Sequence, residues 1–124
     1  MKLRLRKNSL RLRLLRGEVD RLARREPVEE VIAFAPDREL RYRLVVSNTA
    51  VVRAAFEGAV ITVELPAPLA HQFAESDLVT IEHQQATGPG EALTILVEKD
   101  FICLDRKNDP DNADAYPHPT QSCE

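Results

Sequence analysis

The chain opens MKLRLRKNSLRLRLLRG, where leucine alternates with a base, but the alternation changes phase. Leu3 and Leu5 occupy odd positions, whereas Leu10, Leu12 and Leu14 occupy even ones. A strand has period two, so one continuous strand cannot hold both sets on one face. A two-residue turn at Lys7-Asn8 removes the conflict. Leu5 then faces Leu10, Leu3 faces Leu12 and Met1 faces Leu14. Asn tolerates the positive φ that such a turn demands. A bulge within KNS is the competing reading, since one extra residue also switches phase.

Further on, RGEVDRLARR (16–25) predicts a short helix with Val19, Leu22 and Ala23 inward, closed by Pro27. A hairpin follows, with strands 28–35 and 39–47 around Pro36-Asp37-Arg38; Leu40, Tyr42, Leu44 and Val46 alternate with Arg41 and Arg43. VVRAAFEGAVITVEL reads as a hairpin around Glu57-Gly58, with Val52, Ala54, Phe56, Ala59, Ile61 and Val63 on one face. Residues 66–77 read as a second helix, with Pro68 in its first turn and Leu69 and Phe73 four apart. Strands 78–85 and 92–99 form a third long hairpin across ATGPGE, and the chain from Arg106 is rich in Pro, Asp and Asn.

These elements repeat. Hairpin, helix, hairpin occupies 1–47 and recurs in 51–99. A shift of 51 residues lays Leu5 on Phe56, Leu10 on Ile61, Leu12 on Val63, Leu14 on Leu65 and Leu22 on Phe73. The match favours a hairpin over a bulge at Lys7-Asn8. The expected fold is one α+β domain over 1–105, a mostly antiparallel β-sheet or barrel-like sheet with two short helices and an internal duplication. Residues 106–124 form a C-terminal coil tail in this reading.

At 124 residues and 44% hydrophobic composition the chain suits one folded domain, its core built from aliphatics and four Phe without Trp. No apolar run approaches the ~20 residues of a membrane helix, and Arg interrupts the apolar positions of the N-terminus, unlike a signal peptide. A cytoplasmic location with no membrane partner follows, and Cys103 and Cys123 are read as reduced thiols. The net charge of −3 hides a division. Seven of the 17 bases fall within residues 1–17, which carry no acid, and the other ten face all 20 acids.

The hairpin sets Arg4 opposite Arg11 and Lys2 opposite Arg13, away from the leucines. Like charges across a strand pair disfavour pairing by about 0.2–1 kcal/mol. Glu29, Glu30, Glu39, Glu64 or Glu82 on neighbouring strands would relieve this as a solvated ion-pair lattice, or long basic side chains would protect a sheet edge. The sharper reading is an anion-binding site of Arg4, Arg6, Arg11 and Arg13, joined by Arg41 and Arg43 if the sheet curls with this face inward. Guanidinium groups grip phosphate or carboxylate bidentately, which suits an anionic small molecule or an acidic partner. Flat display would suit a nucleic-acid backbone instead, a less favoured partner given the absence of stacking aromatics.

Triphosphate tunnel enzymes are similar in enclosing a basic tunnel with antiparallel strands, but Lys2, Arg4 and Arg6 stand where that family alternates metal-holding glutamates. The bacterial antitoxin and transition-regulator DNA-binding fold resembles the opening through NSLRLRL followed by a helix, without the Trp-Gly before Asn-Ser or the Pro after the strand. Across nearly the whole chain, ILVEKDFICLDR followed by DADAYPHP resembles a family of small bacterial proteins of unknown function. That family shares a Glu-Lys-Asp-Phe-x-Cys-Leu segment, matched at Glu98, Lys99, Asp100, Phe101, Cys103 and Leu104. It also shares an aromatic-Pro-x-Pro, matched at Tyr116, Pro117 and Pro119. The resemblance implies a bacterial cytoplasmic protein and no activity.

Cys103, His118 and Cys123 are zinc-ligand types, but without Cys-x-x-Cys or paired His no metal site is assigned, and DRKNDPDNAD lacks the Gly and Glu of a calcium loop. The tail is expected to fold back, Tyr116 against the body and its acids toward bases. His83 alternates with Val79 and Ile81 at the core's edge, and four glycines make no phosphate loop. No cofactor is implied. The function expected is non-enzymatic binding of an anion through the first hairpin. The alternatives are a small phosphate-handling enzyme of tunnel-barrel type and an interaction module that forms a homodimer through exposed strands.

Overall fold

A computed structural model of the chain describes residues 1–101 and Tyr116. Among these residues the order is β1 (Lys2–Arg6), β2 (Ser9–Leu14), α1 (Arg16–Ala23), β3 (Val28–Ala35), β4 (Arg38–Ser47), β5 (Arg53–Glu57), β6 (Val60–Pro66), α2 (Ala67–Glu75), β7 (Thr80–Gly88) and β8 (Glu91–Lys99). The phase change at Lys7-Asn8 is a turn, and Leu5 pairs with Leu10, Leu3 with Leu12, Arg4 with Arg11 and Lys2 with Arg13.

Positive φ falls on Lys7, at 50°, and not on Asn8 as expected. Asn8 serves the turn with its polar groups instead. Its side-chain amide donates to the Ala92 carbonyl at 2.7 Å, and its own carbonyl accepts the Thr94 N–H at 3.0 Å. These bonds tie the first hairpin to the start of β8.

Two four-stranded sheets result, ordered β1-β2-β8-β7 and β3-β4-β6-β5. The hairpins are antiparallel, but β2 runs parallel to β8 and β4 parallel to β6, which local periodicity does not reveal. The two hairpins of each half lie in different sheets. Replacing each element of the first half by its counterpart in the second converts one sheet order into the other, so the duplication is built into the topology. The offset is 51 through the first hairpin and helix. It becomes 53 beyond them, where Val28 corresponds to Ile81, Tyr42 to Ile95 and Leu44 to Val97.

Both helices leave the same end of their sheets and pack on each other, so the hairpin turns gather at the opposite end. One core joins all layers. Leu10, Leu12, Leu14, Ile95 and Val97 from the first sheet meet Val28, Leu44, Val63 and Leu65 from the second, under Leu22 and Phe73 of the helices. At the turn end the core runs out. Leu5 and its counterpart Phe56 are 60% and 69% exposed, although alternation assigns them to the inner face. Ala23 is also exposed, because α1 turns Val19 and Leu22 inward, and Ala59 sits in a turn at φ 62°. The third hairpin is tighter than expected, its strands reaching Gly88 and Glu91 around Gly90 at φ 72°.

The helix starts differ. Glu18 accepts the Leu15 N–H at 2.8 Å and also ion-pairs with the Met1 amino group. In α2, Pro68 fills a first-turn position whose N–H would be unpaired in any case. No described helix is long and apolar enough to cross a membrane. The expected coil of 106–124 and its docking lie outside the described residues, Tyr116 excepted. That side chain is 96% exposed, which overturns the expectation that it anchors on the body; the sheets and helices close the core among themselves.

Candidate functional site

Alternation in the first hairpin sends leucine inward and bases outward, so its charges share the outer face of the first sheet. Strand register arranges that face in rows. Lys2, Arg13, Glu98 and Thr80 form one row, Arg4, Arg11, Leu96 and Glu82 the next, and Arg6, Ser9, Thr94 and Gln84 the third. Successive rows lie about 6.8 Å apart, two residues of antiparallel strand. All four anticipated arginines are therefore brought together as a ladder on β1 and β2, with Lys2 at one end.

A single carboxylate oxygen serves two of them. Glu98 Oε1 stands 3.1 Å from Arg11 Nε and 3.3 Å from Arg13 Nε. Lys2 Nζ lies 3.1 Å from Asp100 Oδ2, and Arg4 and Arg6 are engaged as well. Sequence reasoning proposed Glu82 and four acids of the second sheet as partners. Glu98 was missed because it reaches Arg11 and Arg13 only through the parallel β2–β8 pairing.

Two features differ from expectation. The leucines, not the arginines, face inward, so this basic surface is displayed outward on the sheet. Arg41 and Arg43 do not join it, because β4 belongs to the other sheet. There Arg41 ion-pairs with Glu29 and stands 3.8 Å from Glu39, while Arg43 donates to Thr62 Oγ1 at 2.9 Å.

The duplication supplies an internal control. At the places of Arg4, Arg6, Arg11 and Arg13 the second sheet has Ala55, Glu57, Thr62 and Glu64, and only Lys2 has a basic counterpart, Arg53. The same strand arrangement thus folds without an arginine ladder.

The Glu98-Lys99-Asp100-Phe101 segment ends β8 and ties three elements together. Lys99 Nζ donates to the Ser76 carbonyl at 2.9 Å and lies 5.1 Å from the Phe73 ring centroid, a cation–π distance. The Asp100 N–H donates to Leu14 O at 2.8 Å. Beside this junction a cleft of about 730 Å³ is lined by Arg16, Asp20, Asp77, Lys99 and Asp100 with Val19 and Phe101, bases and acids mixed. Among the described residues no three His, Cys, Asp or Glu side chains gather as a metal site. Cys103, His118 and Cys123 lie outside them. His83 is half-buried in the row of Leu10 and Ile95, on the core side and away from the ladder.

Residues 1–120 match the model of a family of unknown function. No curated protein and no solved structure matches the chain.

Proposed function

We propose a function from geometry alone, because the chain belongs to DUF7009, a family of unknown function: the outer face of the first sheet docks an anionic partner without transforming it. The observation that carries this reading is the contrast between the two sheets. Their topology is the same, yet one outer face holds Lys2, Arg4, Arg6, Arg11 and Arg13 against Glu82 and Glu98, with Asp100 at its Lys2 end. The other mixes Arg41, Arg43 and Arg53 with Glu29, Glu39, Glu57 and Glu64. Folding does not require the excess of bases, and cross-strand repulsion works against it.

A binding role suits the side chains beside the ladder. Ser9, Thr80, Thr94 and Gln84 donate and accept hydrogen bonds, and no histidine shares their rows to act as a base. Arg11 and Arg13 are held by one carboxylate between them, so an incoming anion completes their pairing without displacing a full set of partners.

The test is the Arg4→Ala, Arg11→Ala double variant. It should keep its circular dichroism spectrum and a cooperative melt, relief of the facing charges being set against loss of the Arg11–Glu98 pair and of Arg4's own contact. It should also lose most of the parent's affinity, at low salt, for polyanions offered as inorganic triphosphate, polyglutamate and duplex DNA. Parent protein that binds none of these, or a double variant that binds as the parent does, would overturn the reading.

A further inference from the structure

The turn of the first hairpin is built at odds with its own backbone. Lys7 adopts φ 50°, a left-handed conformation that side chains disfavour and glycine accepts freely. The corresponding residue of the duplicate, 51 positions on, is Gly58 at φ 55°. A lysine therefore occupies, in one hairpin, the turn position that its counterpart gives to glycine. Positive φ at the first central residue alone is the type II′ pattern, whose preferred residue there is glycine.

The lysine gains nothing visible within the fold in return. Its side chain is exposed, and among the described residues its ammonium makes no hydrogen bond or ion pair. Its position is what distinguishes it. Lys7 directly follows Arg6 in the turn, where the strands end and alternation no longer assigns a face, so one more cation stands at the hairpin tip next to the last rung of the ladder.

We infer that Lys7 is a contact residue of the anion-docking face, and that the partner is long enough to lie along the whole hairpin, as a nucleic-acid phosphate backbone does. The inference rests on the docking role proposed above and extends it. From Lys2 to Lys7 is five residues of strand, about 17 Å, the axial reach of about five successive phosphates of one duplex strand. A small di- or triphosphate covers only part of that length. Among the described residues the three rows hold no aromatic ring, and Phe101 stands only at the Arg13 end beside Thr80 and Glu98, so contact along the ladder is with phosphates rather than bases, and sequence-independent. Outside residues 1–17 ten bases stand against 20 acids, a balance that disfavours a polyanion on the rest of the chain.

Lys7→Gly and Lys7→Arg test this. Binding of a fluorescent 20-base-pair DNA duplex is titrated across salt, beside inorganic triphosphate and polyglutamate. Lys7→Gly should raise the melting temperature, weaken duplex binding and reduce the slope of log K against log salt by about 0.9, one phosphate contact. Lys7→Arg should restore the slope without the thermal gain. A Lys7→Gly protein that is stabilised but binds duplex with the parent's slope removes Lys7 from the site. Parent protein that takes triphosphate or polyglutamate but not duplex rejects the nucleic-acid partner and leaves the docking face standing. Failure to bind any of the three removes both.

Discussion

The side-chain amide of Gln85, on β7, pairs with the backbone of Ala54 on β5, accepting the Ala54 N–H at 2.8 Å and donating to its carbonyl at 2.9 Å. β5 and β7 are outer strands of different sheets, so one side chain does the work of a neighbouring strand at that seam. Its counterpart in the duplicate, 53 positions earlier, is Ile32, which has no such groups. The opposite seam, between β1 and β3, is held by other means. The Met1 amino group lies 3.4 Å from Glu30 Oε2, and Tyr42 Oη donates to the Met1 carbonyl at 2.9 Å.

Gln85→Ala strips both partners from a half-buried backbone. The expected loss is about 1–3 kcal/mol, the range for leaving such groups unsatisfied. It is read as a lower urea midpoint with unchanged slope. Because β5 then presents an unpaired edge, the variant should also aggregate more readily on heating. An unaltered midpoint would show that water replaces the amide without penalty.

Glu98→Gln separates fold from docking. The Glu98 side chain is 19% exposed and holds Arg11 and Arg13, and Gln keeps its shape and an acceptor oxygen for them, so the loss stays near that of a solvent-screened pair, about 1 kcal/mol. Stability should therefore fall little. Affinity for a polyanion should rise, since an internal competitor is gone, and parallel titrations of parent and variant at one salt concentration read the difference. Weaker binding by Glu98→Gln would instead make this carboxylate an organiser of the site.

Tyr42 introduces an alkaline limit. Burial, followed by the charges of Glu30 and Glu18, raises its pKa in the folded protein above the ordinary value. The folded state then holds the phenol proton more tightly than the unfolded chain does. Stability from this source is complete below the unfolded pKa near 10 and is lost as pH rises through the higher folded value. Tyr42→Phe should cost about 1 kcal/mol at neutral pH through the lost hydrogen bond to Met1, and should flatten the decline above about pH 10. Urea midpoints at pH 7 and at alkaline pH in both proteins provide the comparison.

Leu12 and Leu5 lie in the same hairpin on the same inner face and differ only in where the core ends. Leu12 is 1% exposed and Leu5 60%. Leu12→Ala should lose about 2–5 kcal/mol, and Leu5→Ala about 0.5 kcal/mol or less. Thermal melts of the two variants check the ratio. Similar losses would mean that the turn end is more tightly packed than its exposure indicates.

Much of this was legible because it depends on short-range pattern. The phase change between Leu5 and Leu10 demanded a turn, and the turn dictated that Arg4 faces Arg11. The equivalence of Leu12 with Val63 and of Leu22 with Phe73 exposed the duplication, since buried positions of like elements repeat even where identities do not. Alternation could not say where the core stops, so Phe56 was assigned inward and stands 69% exposed. Nor could it say which glycine-type position would carry a lysine, because φ at Lys7 follows from the turn type that the flanking strands impose.

The sequence by itself determined the hairpins, the two helices, the repeat and the gathering of bases on one face of the first hairpin, all of which follow from periods of two and 3.6 between near neighbours. Only the tertiary structure decided that the hairpins of each half part company into separate sheets, that β2 meets β8 in parallel, and that Glu98 thereby comes between Arg11 and Arg13. Those pairings join residues some 85 positions apart. They are selected by burying both halves' apolar faces in one core, a condition that no local stretch of the chain can express.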